Sequence, residues 1–381
     1  MCLPGVRLAQ HPVVLPTRLL IAATVLMLAG PLAAGDVCAA QDPIALATTG
    51  TAAIESGRFG DALEAFTKAA ALRPTDASLC FGAGVAAFML GQDDVAQTRF
   101  ECAVALNPNF LPAAEWLGDL HYRAGRLDEA ISTYERAQQR LPGARKLEER
   151  LAVWRKEHEL QTRFREVRTD HFTALFEAAS DEPLAREIVE RLEAAYWRVG
   201  NTLGVYPAQP VTVVLYTREQ FSDITRLAAW SAAAYDGRIR VPLGGALEER
   251  DELDRVLSHE FVHAVVARIG GRTVPAWVNE GLATVLETEA VSRDAVAALA
   301  DTDAGPALSR LHRSFVELSR RDAEIAYGSA ARAVRRLIER SGAPAVVALL
   351  EDLARGAPFA RAFHARIAMR YEDFAALAAR P

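Results

Sequence analysis

The chain has 381 residues, half of them apolar, and a formal net charge of −6. That length gives room for two domains, each with its own core. Lysine and arginine are interspersed with acidic residues and form no stripe, which argues against a nucleic-acid surface and marks solvated helix faces instead.

Residues 1–40 read as an export signal. Arg7 and Arg18 precede an apolar run from Leu19 to Leu28, followed by Gly30, Pro31 and small residues up to Ala40. The run is short for a spanning helix and Pro31 interrupts it, so an uncleaved anchor is the lesser alternative. Gly35 stands where a lipidated Cys38 would want Leu, so cleavage is expected near Ala39 or Ala40. The mature protein would then be periplasmic or secreted, without a transmembrane span. It would keep two cysteines, Cys80 and Cys102, in a compartment that permits disulfides; pairing and burial as free thiols are both open.

From residue 42 to about 143 the chain repeats at 34 residues. Gly50, Gly84 and Gly118 share one register, as do Gly57, Gly91 and Gly125, and Pro74, Pro108 and Pro142. Ala62, Ala96 and Ala130 form another set, and Phe66, Phe100 and Tyr134 another. Small residues at fixed places let paired helices approach, an aromatic fills the gap, and proline stops the second helix. The pattern resembles three tetratricopeptide repeats. Leu147, Leu151 and Trp154 extend it as a capping helix over 145–160, so the first domain is 42–160. Such a solenoid implies a surface for a protein or peptide partner; a spacer module is the plainer alternative.

The second domain, 163–381, opens with strand alternation over 170–176 and a helical pattern from Glu182 to Leu203, closed by Gly204. Val211–Tyr216 reads as a strand. Gly237–Val241 alternates apolar and charged residues, as an edge strand open to water and able to pair with an extended substrate would.

His259-Glu260-Phe261-Val262-His263 lies in an amphipathic helical segment, 247–269. Positions four apart on a helix differ by roughly 40°, so His259 and His263 reach one ion. Glu260, roughly 100° from His259, is kept off the metal and beside the water it activates, where a general base belongs. A catalytic zinc wants a third protein ligand. Glu280 supplies it from a helix starting at Pro275-Ala276-Trp277, with Glu287, further along that face, as the rival.

The pair H-E-F-V-H and W-V-N-E-G-L-A, sixteen residues apart between His263 and Glu280, resembles a gluzincin metallopeptidase of the peptidase MA-like group. The resemblance implies an α+β chain: the all-α repeat solenoid followed by a zincin-like domain of a small sheet plus helices. It implies one Zn²⁺ on His259, His263 and Glu280, with Glu260 as base. Helical patterns follow over 322–340, 344–355, 359–365 and 371–379 and would wall the cleft. Tyr327 falls where the family has a tyrosine ahead of its helix and would donate to the oxyanion; a core tyrosine is the alternative, and His312 reads as a surface histidine. The function expected is zinc-dependent peptide-bond hydrolysis. The competing expectations are a repeat scaffold with a peptidase-like domain of little or no activity, and hydrolysis of a non-peptide amide.

Overall fold

A computed structural model describes residues 42–225, 234–243, 250–287, 308–312, 315 and 318–378. The export signal expected over 1–40 lies outside the described residues.

Three antiparallel helix pairs come first: α1 (Pro43–Glu55) with α2 (Phe59–Leu72), α3 (Ala77–Met89) with α4 (Asp93–Leu106), and α5 (Leu111–Arg123) with α6 (Leu127–Arg140). The repeat register has a direct packing reason. A Cβ at Gly50 would sit 2.7 Å from the Phe66 ring, at Gly84 2.6 Å from Phe100, and at Gly118 2.3 Å from Tyr134. Each aromatic of the second helix therefore rests on a missing side chain of the first. Cys80 and Cys102 form a disulfide between α3 and α4, with Cα atoms 6.1 Å apart. The capping helix α7 (Arg145–Gln161) follows, and Leu147, Leu151 and Trp154 are all buried beneath it.

Five short strands then form one sheet, β1 (Arg165–Arg168), β2 (Phe172–Phe176), β3 (Val211–Tyr216), β4 (Ala234–Tyr235) and β5 (Ile239–Pro242), in the order β1-β2-β3-β5-β4. The central pairs β2–β3 and β3–β5 are parallel, and both outer pairs antiparallel. Helix α8 (Glu182–Leu203), the crossover between β2 and β3, ends at Gly204 in the left-handed conformation, φ 72°. Strand β1 escaped the sequence reading because its only buried residue is Val167, which leaves no alternation to see.

The expected water-facing edge strand at 237–241 is corrected by this topology. Strand β5 is bonded to β3 on one side and β4 on the other, and all four of its residues are buried. Arg238 and Arg240 point into the molecule, Arg240 completely so. Alternating charge normally marks a wet face, but here the guanidiniums meet buried carboxylates, one of them supplied by the repeats.

The remaining helices are α9 (Arg218–Thr225), α10 (Arg250–Gly270), α11 (Ala276–Val285), α12 (Arg320–Ser341), α13 (Ala343–Ala354), α14 (Phe359–Ile367) and α15 (Tyr371–Ala378). None of the described helices is long and apolar enough to cross a membrane. The two halves touch closely. Gly271, in the α10–α11 turn, lies where a Cβ would come 2.9 Å from Leu90 O, and Gly237 where one would come 2.4 Å from Arg123 O. Arg272 donates to Asp93 Oδ1 (2.6 Å) and Phe88 O (2.9 Å), with its guanidinium 3.9 Å over the Phe88 ring.

Candidate metal centre

Helix α10 was expected to be amphipathic. It is instead buried on every side from Val256 to Val266, between α8, α11, α13 and the sheet. Within that apolar stretch His259, Glu260 and His263 are all but inaccessible, and so is Glu280 of α11. Four ionisable side chains so deeply buried need partners, because an uncompensated buried charge costs several kcal/mol.

The structure brings the three expected ligands together. Glu280 Oε2 lies 3.5 Å from His259 Nε2 and 3.6 Å from His263 Nε2. The ligand atoms of all three residues lie within 4.8 Å of one another. Donors about 2 Å from a tetrahedral ion stand roughly 3.3 Å apart, so this spacing matches one zinc. His259 Nε2, Glu280 Oε2 and the neighbouring Glu260 Oε1 are buried with no hydrogen-bond partner. Orphaned acceptors of His259 and Glu280 held this close together fit a cation better than any apolar filling.

The opposite ring nitrogens are engaged. His259 Nδ1 is 2.7 Å from Glu287 Oε1, and His263 Nδ1 is 3.1 Å from Asn279 Oδ1. A proton on each Nδ1 satisfies these acceptors and turns each Nε2 lone pair toward Glu280. Glu287, the sequence's rival for third ligand, thus sits behind His259 rather than at the centre. Arg255 NH1 lies 3.4 Å from it, and Arg198 clamps the same turn by donating to Leu286 O, Glu287 O and Ser258 Oγ. Asn279 and Arg198 escaped the sequence reading. Asn279 stands in the quoted W-V-N-E-G stretch, one residue before Glu280, whereas nothing in the sequence near Arg198 connects it to α11.

Burial pushes the Glu260 carboxyl up to about 8; His259 works against it, while Glu280 and Asp236 add to it. Burial likewise drives His263 down to about 4, against the pull of Glu280. For His259 burial also disfavours the imidazolium, but Glu280 and Glu287 outweigh it and raise the ring to about 9. Glu280 and Glu287 thus favour positive charge at His259, where a bound cation would supply it.

Gly281 allows α12 to lie against α11, since a Cβ there would be 2.5 Å from Ala330 O. That approach brings Tyr327 to the rim, its ring centroid 6.4 Å from that of His259 and 5.3 Å from that of Phe315. Tyr327 is the eighth residue of α12, inside the helical pattern expected over 322–340. His312 is no surface histidine: it is half-buried, its Nε2 is 2.8 Å from the Tyr371 hydroxyl, and it packs edge-on against Phe359.

Comparison with known proteins reaches the N-terminal helix pairs. The tetratricopeptide-repeat family matches residues 48–96 and 91–145. Residues 48–145 carry tetratricopeptide repeats. A similar solved structure is the first TPR of Spaghetti bound to an HSP90 peptide, 24% identical over 31% of this chain and 94% of that one, with a TM-score of 0.30. No curated protein matches the chain.

Proposed function

We propose that this protein is an exported, zinc-dependent peptide-bond hydrolase whose repeats engage a protein or peptide partner. The observation that carries the reading is the convergence of His259 Nε2, His263 Nε2 and Glu280 Oε2 in a dry pocket, with Glu260 beside them. His259, His263 and Glu280 would hold the ion, and Glu287 and Asn279 would keep both imidazoles in the ligating tautomer. Zinc bound there would supply Lewis acidity toward water and toward a carbonyl.

The chain's own residues do the rest. Glu260, on the ligand helix but not among the ligand atoms, takes a proton from the attacking water and returns it to the departing amine. Tyr327, at the rim, donates its hydroxyl to the oxygen that becomes negative. Such a site serves a peptide bond or another amide alike; a repeat solenoid beside it, which offers a surface to a protein or peptide, favours a peptide. The Cys80–Cys102 disulfide supports an oxidising compartment and hence export.

Elemental analysis of tag-free protein, followed by digestion of a mixed peptide library, tests the proposal. One zinc per chain is expected, with cleavage abolished by chelation. Glu260→Gln should cut the rate by about a hundredfold or more while the zinc stays, and Tyr327→Phe should cut it less. Zinc well below one equivalent after supplementation, or cleavage untouched in Glu260→Gln, overturns the mechanism. A zinc-loaded chain that cleaves nothing while its repeats still capture a partner would establish the scaffold reading instead.

A further inference from the structure

At the junction of the two halves lies a buried cluster of charges and hydroxyls that the proposed chemistry does not use. Glu157, on capping helix α7, is completely buried. One of its oxygens accepts from Arg240 NH1 at 2.9 Å and from the Tyr216 hydroxyl at 3.1 Å; the other accepts from the Tyr122 hydroxyl at 2.6 Å. Arg238 NH2 stands 3.1 Å from the same carboxylate, at an angle outside hydrogen-bond geometry. Arg240, also completely buried, donates through NH2 to Tyr122 Oη (2.9 Å) and through Nε to Asp236 Oδ2 (3.0 Å). Both its charge partners and the Tyr122 hydroxyl are therefore out of water.

Tyr122 lies in the last turn of α5, the first helix of the third repeat, Glu157 lies on the cap, and Asp236, Arg238 and Arg240 belong to the β4–β5 hairpin. Strand β4 is the last of the sheet and packs on α10, the helix that carries His259, Glu260 and His263. A hairpin with only two residues in its outer strand has little ladder of its own to hold it. Its inner strand β5 is paired to β3, and beyond that ladder Arg240 ties it down, donating to Asp236 of the hairpin itself, Tyr216 of β3, and Glu157 and Tyr122 of the N-terminal domain.

We propose that the repeat domain is a working part of the catalytic body: Glu157 and Tyr122 are positioning residues that hold the β4–β5 hairpin against the active helix through Arg240. The proposal rests on the hydrolase reading only for its kinetic consequence. The guanidinium cannot be neutralised by another described carboxylate except Asp236, so losing Glu157 leaves a buried excess positive charge that the hairpin relieves by opening to water. Removing the Tyr122 hydroxyl deletes one neutral acceptor and should act in the same direction, less strongly.

Hydrogen exchange on the full chain, read peptide by peptide, tests this without any substrate. In Glu157→Gln, amides of 234–242 should exchange about tenfold or more faster than in wild type, in Tyr122→Phe by a smaller factor, and amides of α10 and α11 should hold. Zinc content should remain at the wild-type level in both. Where peptide cleavage is measurable, KM should rise severalfold with kcat within about twofold, since the sheet edge beside α10, strand β4, loosens but the ligand set does not. Unchanged hairpin exchange in both variants overturns the proposal, and so does faster exchange spread evenly over the whole C-terminal half, which would mean general destabilisation. A chain that cleaves no peptide at all sinks the hydrolase reading, and the exchange pattern then decides this inference alone.

Discussion

At the scale of single residues, the candidate metal centre is a contest between apolar burial and charge. His259, Glu260, His263 and Glu280 occupy positions where a helix of this burial would ordinarily carry Leu or Val. Their orientation is decided one layer out. Glu287 accepts from His259 Nδ1, and Arg255 and Arg198 hold Glu287 and its backbone in turn. Outer partners of this kind typically contribute 10–100-fold to metal affinity. Glu287→Gln, which keeps an acceptor but drops the charge, should therefore weaken zinc binding by about tenfold in a chelator competition, and Glu287→Ala by more. Unaltered affinity in both would show that His259 needs no help to present Nε2.

At the scale of elements, two features set stability. The disulfide between α3 and α4 spans 22 residues of sequence, a loop whose closure is worth about 3 kcal/mol in the chain-entropy account. A reductant should lower the wild-type urea midpoint accordingly and leave a Cys80→Ala, Cys102→Ala double variant where it was. The second feature is helix α7. Burial alone would raise Glu157, but Arg240 and Arg238 outweigh it and hold the carboxyl below its ordinary value of 4.5. A folded value below the unfolded one means the contribution is whole above about pH 4.5 and is lost as the pH falls through the lower value. Urea midpoints should accordingly drop more steeply below pH 4.5 in wild type than in Glu157→Gln. Parallel curves would remove Glu157 from the acid response.

At the scale of the whole molecule, the sequence suggests two domains with separate cores, and direct contacts join them. The repeat turns, Leu90 and Arg123, touch the α10–α11 turn and the β hairpin so closely that only glycine fits opposite. Lys156 of α7 pairs with Asp223 of α9, and Arg272 with Asp93. A fragment beginning at Arg163 would expose Arg238 and Arg240 without Glu157. It should be insoluble, or unfold well below the intact chain, and bind less than one zinc; a soluble fragment with full zinc and an unchanged thermal midpoint would show that the halves are independent.

Sequence alone determined the local rules of this protein. The 34-residue register was legible because each glycine–aromatic pair is a short-range fit repeated three times, and the helix carrying His259 and His263 because a four-residue spacing has only one consequence on a helix. Glu280 was legible through its motif, and α8 through its apolar period and its terminal glycine. What the tertiary structure decided is everything that depends on which surfaces meet. Charges alternating along β5 read as a wet edge until α7, more than 75 residues earlier, brings Glu157 to them. Glu287 read as a rival ligand to Glu280 until the turn after α11 carried it behind His259. Periodicity tells which face of an element is apolar, but a buried ion pair or a ligand's outer partner depends on packing between elements far apart in sequence, and such pairs carry no local signature.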